Sequence, residues 1–158
     1  MKKNLMSWIT LGALLISMPV YAGDSSGAIL WSAHDFKGFE KSLVPKMDAT
    51  KGGNAELIKE KTYNAIVFHR EGSGPPEQHE KLADFMVVKS GEGAIQVGGK
   101  LIDAKPSGVN ELRGSALEGG TKYPVSAGDV LYIPANTPHR TLVEAGKQLN
   151  VMVIKVQP

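Results

Sequence analysis

The sequence predicts an all-β sandwich or barrel with one short helix near its N-terminus. Three observations lead there. Short strand-like runs, separated by turn residues, follow one another from position 55 to the end. Helical periodicity is confined to one stretch before them. The 158-residue chain has no cysteine, so the fold must rest on an ordinary apolar core, and thiol catalysis and thiolate metal sites are excluded.

The helix comes first. Ser32 precedes Asp35 by three residues, the spacing of a capping box, and Phe36, Phe39 and Leu43 follow at helical intervals. This pattern predicts a helix over 33–43, stopped before Pro45. Lys51-Gly52-Gly53-Asn54 is a turn cluster. Strands are then expected at 55–60 and 62–70 as an antiparallel pair, followed by a Gly/Pro loop at 71–76 and a compact apolar strand at 84–89. A tight turn is expected at 90–93, and Gly98-Gly99 predicts a hairpin joining 94–97 to 100–103. The link from 105 to 120 is rich in Gly, Ser and Pro. Strands at 130–133, 139–143 and 149–156 complete the set, with a turn at 134–138. A linker as long as 105–120 without structure of its own is either functional or solvated, and two readings of it stay open: a segment that covers the barrel mouth or packs on a partner subunit, or a solvated hairpin.

The N-terminus has the three regions of a secretory signal in order. Lys2 and Lys3 precede an apolar run from Leu5 to Val20, and Val20-Tyr21-Ala22 fits the small-x-small cleavage rule. Cleavage after Ala22 is expected, giving a periplasmic or secreted protein. The alternative, a retained anchor, needs about 20 apolar residues, and this run is short. The organisation read from this is a signal peptide at 1–22, an N-terminal arm with the short helix at 23–54, and the barrel at 55–158. The signal carries two of the 18 basic residues and none of the 16 acidic ones, so the mature part is balanced in charge. Such a balance argues against a nucleic-acid partner or, after cleavage, a membrane partner, either of which calls for a basic excess.

Two segments carry chemistry. In GDVLYIPANTPHRTL, Gly128, Pro134, Asn136 and His139 stand at fixed intervals, with Val143 beyond them. Upstream, Glu77 and His79 lie two apart on an extended segment, so both face the same way, and Asp84 and Gly91 follow. Together the two segments resemble the paired motifs of the cupin superfamily. The second motif fits well: Asn136 stands where the family has Gly, and both tolerate a left-handed turn. Val143 replaces its closing Asn. The first motif is altered, with Glu77 in the place of the first His, His79 in that of the second, and Asp84 in that of the Glu. The stretches EQHEKLADFMVVKSGEG, NELRGSALEGG and GDVLYIPANTPHRTLVEAGKQ resemble more closely a group of small, single-domain, often exported cupins of type 2.

The resemblance implies a single cupin barrel, a double-stranded β-helix or jelly roll, that brings the two motifs side by side. The expected metal ligands are then Glu77, His79, His139 and Asp84, the last a methylene shorter than Glu and so suited to a water-bridged place. A mixed imidazole and carboxylate set suits a divalent transition metal. Zn or Mn is expected before Fe, because an exported chain acquires its metal outside the cytoplasm. Asp84 and His69 are the candidate catalytic residues, either able to move a proton. Glu80 and Arg113 are expected beside the site, Arg113 offering a charge to an anionic ligand. Met86, Val88, Met152 and Ile154 are the expected apolar lining. His34 is expected at the surface.

Two functions from different classes follow. One is a metal-dependent enzyme on a small molecule, of dioxygenase, isomerase or lyase type. The other is a non-catalytic periplasmic module binding a small ligand. A third possibility, a structural protein with vestigial site residues, also stays open. A homodimer is the expected assembly, with Trp31 and Phe36 offering an apolar contact.

Overall fold

A computed structural model describes residues 27–158; the expected signal peptide and the start of the arm lie outside them. Two compact units divide after Trp31. Residues 27–31, the described part of the first, carry no regular secondary structure. The second unit, Ser32–Pro158, holds every helix and strand described below.

Helix α1 (Ala33–Leu43) starts at its capping box. The Asp35 N–H donates to Ser32 Oγ at 3.2 Å and the Ser32 N–H donates to Asp35 Oδ2 at 2.7 Å, so two orphan donors of the first turn are satisfied. A 3-10 turn, Val44–Lys46, ends it at the proline. Twelve strands follow: β1 (Gly52–Lys59), β2 (Tyr63–Arg70), β3 (Glu77–His79), β4 (Ala83–Val97), β5 (Lys100–Ile102), β6 (Lys105–Gly108), β7 (Glu111–Arg113), β8 (Ala116–Glu118), β9 (Thr121–Ser126), β10 (Val130–Ile133), β11 (His139–Leu142) and β12 (Leu149–Val156). Ten of them form one curled antiparallel sheet in the order β1-β2-β12-β4-β11-β3-β7-β6, with β9 and β10 also paired to β4, while β5 and β8 pair separately.

Strand β4 closes this arrangement. The tight turn expected at 90–93 is instead a bend within one 15-residue strand. Gly91 makes the bend possible: its φ is +77°, and a Cβ there would lie 2.0 Å from the Gln148 carbonyl oxygen. Before the bend β4 pairs with β12 and β10; after it, with β9 and β11. Both glycines of Gly98-Gly99 take positive φ, but the expected hairpin does not form, because β5 leaves β4 and pairs with β8. The link 105–120 is likewise ordered, its β7 extending the sheet from β3.

Register decides which side chains face inward. Side chains of paired residues share a face. Val151 pairs with Phe68 and Val88, and Val153 pairs with Ile66 and Met86. These residues and Leu149 pack with Ile95, Val125, Ile133 and Val143 into the interior core. Met86 and Val88 are therefore inside as expected. Met152 and Ile154 are not: they alternate with Val151 and Val153 and take the outer face with Val67 and Ala65. Helix α1 lies on that outer face. Its Leu43 is 1% exposed, and the Glu40 carboxylate accepts hydrogen bonds from Ser90 Oγ and Gln148 Nε2. His34 on the helix is exposed, as expected.

Candidate metal centre

The short strand β3 carries Glu77 and His79 on one side and meets β11 with Glu77 opposite His139. Proline-rich turns flank both strands, at Pro75-Pro76 and Pro134 to Pro138, and restrict their approach. Asn136 takes φ +61° in the second turn, the conformation expected where the family has Gly. Among the described residues, Glu77, His79 and His139 each offer a ligand atom within 4.8 Å of the others. Asp84 enters from β4, with Oδ2 at 3.5 Å from both His79 Nε2 and His139 Nε2. Glu77 Oε1 lies 3.8 Å from His79 Nε2 and 3.7 Å from His139 Nε2. Four residues from three strands thus converge, as their motif positions imply.

The donor atoms fit a cation. The backbone carbonyl of Thr137 accepts a hydrogen bond from His139 Nδ1 at 3.0 Å, which turns Nε2 toward the carboxylates. Asp84 Oδ1 is buried and has no hydrogen-bond partner, an unmet acceptor on a residue of the cluster. Burial alone would raise the Glu77 carboxyl. His139 against it, and the charges of Lys155 and His139, win instead and hold it at about 2. Asp84 likewise resists burial, and His139, His79 and Lys155 keep it well below the usual carboxylate range. For His139 burial opposes the charged form, yet Asp84 and Glu77 raise it to about 9.

The residues around the centre differ in how far they match their sequence reading. Glu80 is exposed and directs no side-chain contact inward; only its backbone N–H is used, donating to Asn110. Glu111, which sequence reasoning missed, pairs with His79 across β3 and β7, its Oε2 3.9 Å from His79 Nδ1. Arg113 is beside the site as expected, but its guanidinium already donates to Glu77 Oε2 at 3.3 Å and Glu111 Oε1 at 3.2 Å. The link 105–120 thus supports the cluster from the sheet edge. His69 is a correction. It sits on the outer face under α1, 0% exposed, with Nδ1 2.8 Å from Asn150 Oδ1 and Nε2 3.2 Å from Glu71 Oε1. One residue of strand parity separates it from the interior row, so it takes no part in this site.

Lys155 was also missed. It continues the inward row Leu149, Val151, Val153 on β12 and pairs in register with Asp84. Its ammonium donates to His79 Nε2 and lies 3.5 Å from Asp84 Oδ2, with only 13% of the side chain exposed.

No protein-family model matches the chain, and no curated protein matches it. Solved structures do. A conserved double-stranded β-helix protein from Klebsiella pneumoniae aligns over 82% of this chain and 90% of its own, at TM-score 0.56 and 13% identity. The cupin domain of Schizosaccharomyces pombe Cnp3 aligns over 72% and 71%, at TM-score 0.52 and 11% identity. The polyketide cyclase RemF from Streptomyces resistomycificus reaches TM-score 0.48 at 17% identity; the match covers 67% of this chain and 65% of the cyclase, and speaks to no shared activity. The chain has the cupin fold, with a buried Glu/His/His cluster of the kind that can hold a metal.

Proposed function

We propose that this cupin-fold protein is an exported metal-binding protein that acts on a small molecule at a centre formed by Glu77, His79 and His139, with Asp84 beside them. The observation that carries the reading is the convergence of those ligand atoms within 4.8 Å, with His139 Nε2 turned inward by the Thr137 hydrogen bond at Nδ1. Zn or Mn is the metal expected, and bound there it would supply Lewis-acid polarisation of a substrate oxygen or of water. The chain's own residues do the rest. Arg113 holds the far oxygen of Glu77 and so fixes which oxygen faces the cluster. Asp84 keeps Oδ1 unengaged, an acceptor for a hydrogen bond from a bound ligand or water. The reaction class remains that of the resemblance: dioxygenase, isomerase or lyase.

One observation favours the second reading, a non-catalytic binding module. Lys155 supplies the cluster with a positive charge of its own, so its carboxylates have a counter-charge without a metal. Elemental analysis of the full-length protein purified after Zn and Mn supplementation separates the two. About one equivalent of metal is expected in the wild type, and less than about a tenth in Glu77→Ala and His139→Ala. A wild type below about a tenth would overturn the metal reading, and full content in both variants would overturn the ligand assignment. The homodimer is proposed on a separate support. Phe85 and Tyr132 meet on the outer face with ring centroids 4.9 Å apart and planes tilted by 43°, while 40% and 50% exposed, an apolar surface suited to a second copy. Sedimentation showing only monomer at micromolar concentration would refute it.

A further inference from the structure

Lys155 belongs to neither motif, yet its side chain reaches the middle of the cluster. Its ammonium has three donors and no acceptor capacity, so His79 Nε2 must give it a lone pair. That same lone pair is the one His79 would offer a metal. One nitrogen cannot hold both, and a divalent ion beside an ammonium adds like-charge repulsion in a poorly hydrated site. The position is built by register and not by a flexible surface stem: Lys155 faces Asp84 on one neighbouring strand and Asn64 on the other.

The second observation is on the Asn64 side. Three buried side-chain polar atoms among the described residues have no hydrogen-bond partner, and two of them are Asp84 Oδ1 and Asn64 Oδ1. Both belong to the register partners of Lys155. A buried acceptor left unpaired is costly, and native structures keep few of them. An ammonium on a four-carbon stem can move between acceptors by changing rotamers, which a guanidinium fork does less readily. Asn64 Oδ1 therefore offers a second acceptor on the strand away from β4.

We propose that Lys155 is an internal competitor for the metal: it occupies the coordination point on His79 while no ion is bound, and withdraws toward Asn64 when a divalent ion enters. Lys155 thus sets how tightly the centre binds cations, and only an ion with strong affinity for imidazole nitrogen displaces it. The inference rests on the metal reading above.

The test is a calorimetric titration of the metal-free, full-length protein with Zn2+, comparing wild type with Lys155→Met and Lys155→Gln. Both variants are expected to bind Zn2+ at least about tenfold more tightly than wild type. In the wild type, Zn2+ saturation is expected to raise acylation of Lys155 by a small amine reagent severalfold, read by peptide mass, because the ammonium leaves its acceptor. Asn64→Leu is expected to weaken Zn2+ binding in the wild-type background and to leave it unchanged in Lys155→Met. Zn2+ binding by the variants but not by wild type would overturn the proposal, because Lys155 would then block the ion instead of yielding to it. If wild type binds and both variants bind no tighter, or if Lys155 labelling is unchanged by Zn2+, the Lys155 role is overturned and the metal centre stands. If none of the three proteins binds Zn2+, the metal reading falls and the Lys155 role falls with it.

Discussion

Two buried histidines lie on opposite faces of the same curled sheet, and they are used differently. His69 on the outer face has a partner at each ring nitrogen, and its chain of contacts continues from Asn150 to Ser90, Glu40 and Gln148. That network ties α1 to the sheet. His79, on the inner face and 4% exposed, is ringed by Glu77, Asp84, Glu111 and Lys155. The two unpaired acceptors, Asp84 Oδ1 and Asn64 Oδ1, are both on residues of the inner face. Burial of a histidine therefore says little about function. Leftover hydrogen-bonding capacity beside it says more, because a satisfied network has nothing to offer a ligand.

Substitutions on the two faces should separate accordingly. The largest effect is expected from His79→Ala, which should abolish metal uptake measured by elemental analysis while the circular-dichroism spectrum stays that of the wild type. His69→Leu should do the reverse. It strands Asn150 under the helix, and a loss of about 1–3 kcal/mol is expected from denaturant unfolding, with metal content unchanged. Metal loss in His69→Leu without destabilisation would erase the contrast. Glu111→Gln should weaken metal binding by about 10-fold, the usual scale for a carboxylate that orients a ligating imidazole. Glu80→Ala should change neither quantity.

A smaller effect is expected in the pH dependence of the metal-free protein. His139 is raised from 6.5 to about 9, so its contribution to stability is fully present below 6.5 and is lost as pH rises through 9. Glu77 is lowered from 4.5 to about 2, so its contribution is present above 4.5 and is lost as pH falls through 2. Thermal unfolding followed across pH should show a plateau between those limits. His139→Ala should remove the alkaline decline, and an unchanged decline in that variant would contradict the assignment.

What could be read from the sequence was local. The capping box of Ser32 and Asp35 placed α1 over 33–43, because its determinants lie within one turn. The intervals in GDVLYIPANTPHRTL placed the turn before His139, and the altered first motif placed Glu77, His79 and Asp84 around one point. Where reading failed, the missing information was pairing. The sequence pattern places strand β12 at 149–156 and offers Met152 and Ile154 as its inner residues, but register gives that face to Val151, Val153 and Lys155. The helix over the outer face makes both faces of β2 and β12 apolar, so alternation cannot tell inside from outside. The same ambiguity turned His69 toward the site. Glu111 was hidden for another reason: β7 is three residues long in a Gly- and Ser-rich segment, and only its pairing with β3 makes it a strand. A signal for Lys155 did exist, as the fourth member of the row Leu149, Val151, Val153.

The central claim is that the inner-face cluster binds metal through its imidazoles, and the Zn K-edge absorption spectrum of the Zn-loaded protein tests it most directly. The account predicts a shell of nitrogen and oxygen ligands with the outer scattering of two imidazoles. A spectrum without imidazole scattering, or with that of a single imidazole, would contradict it.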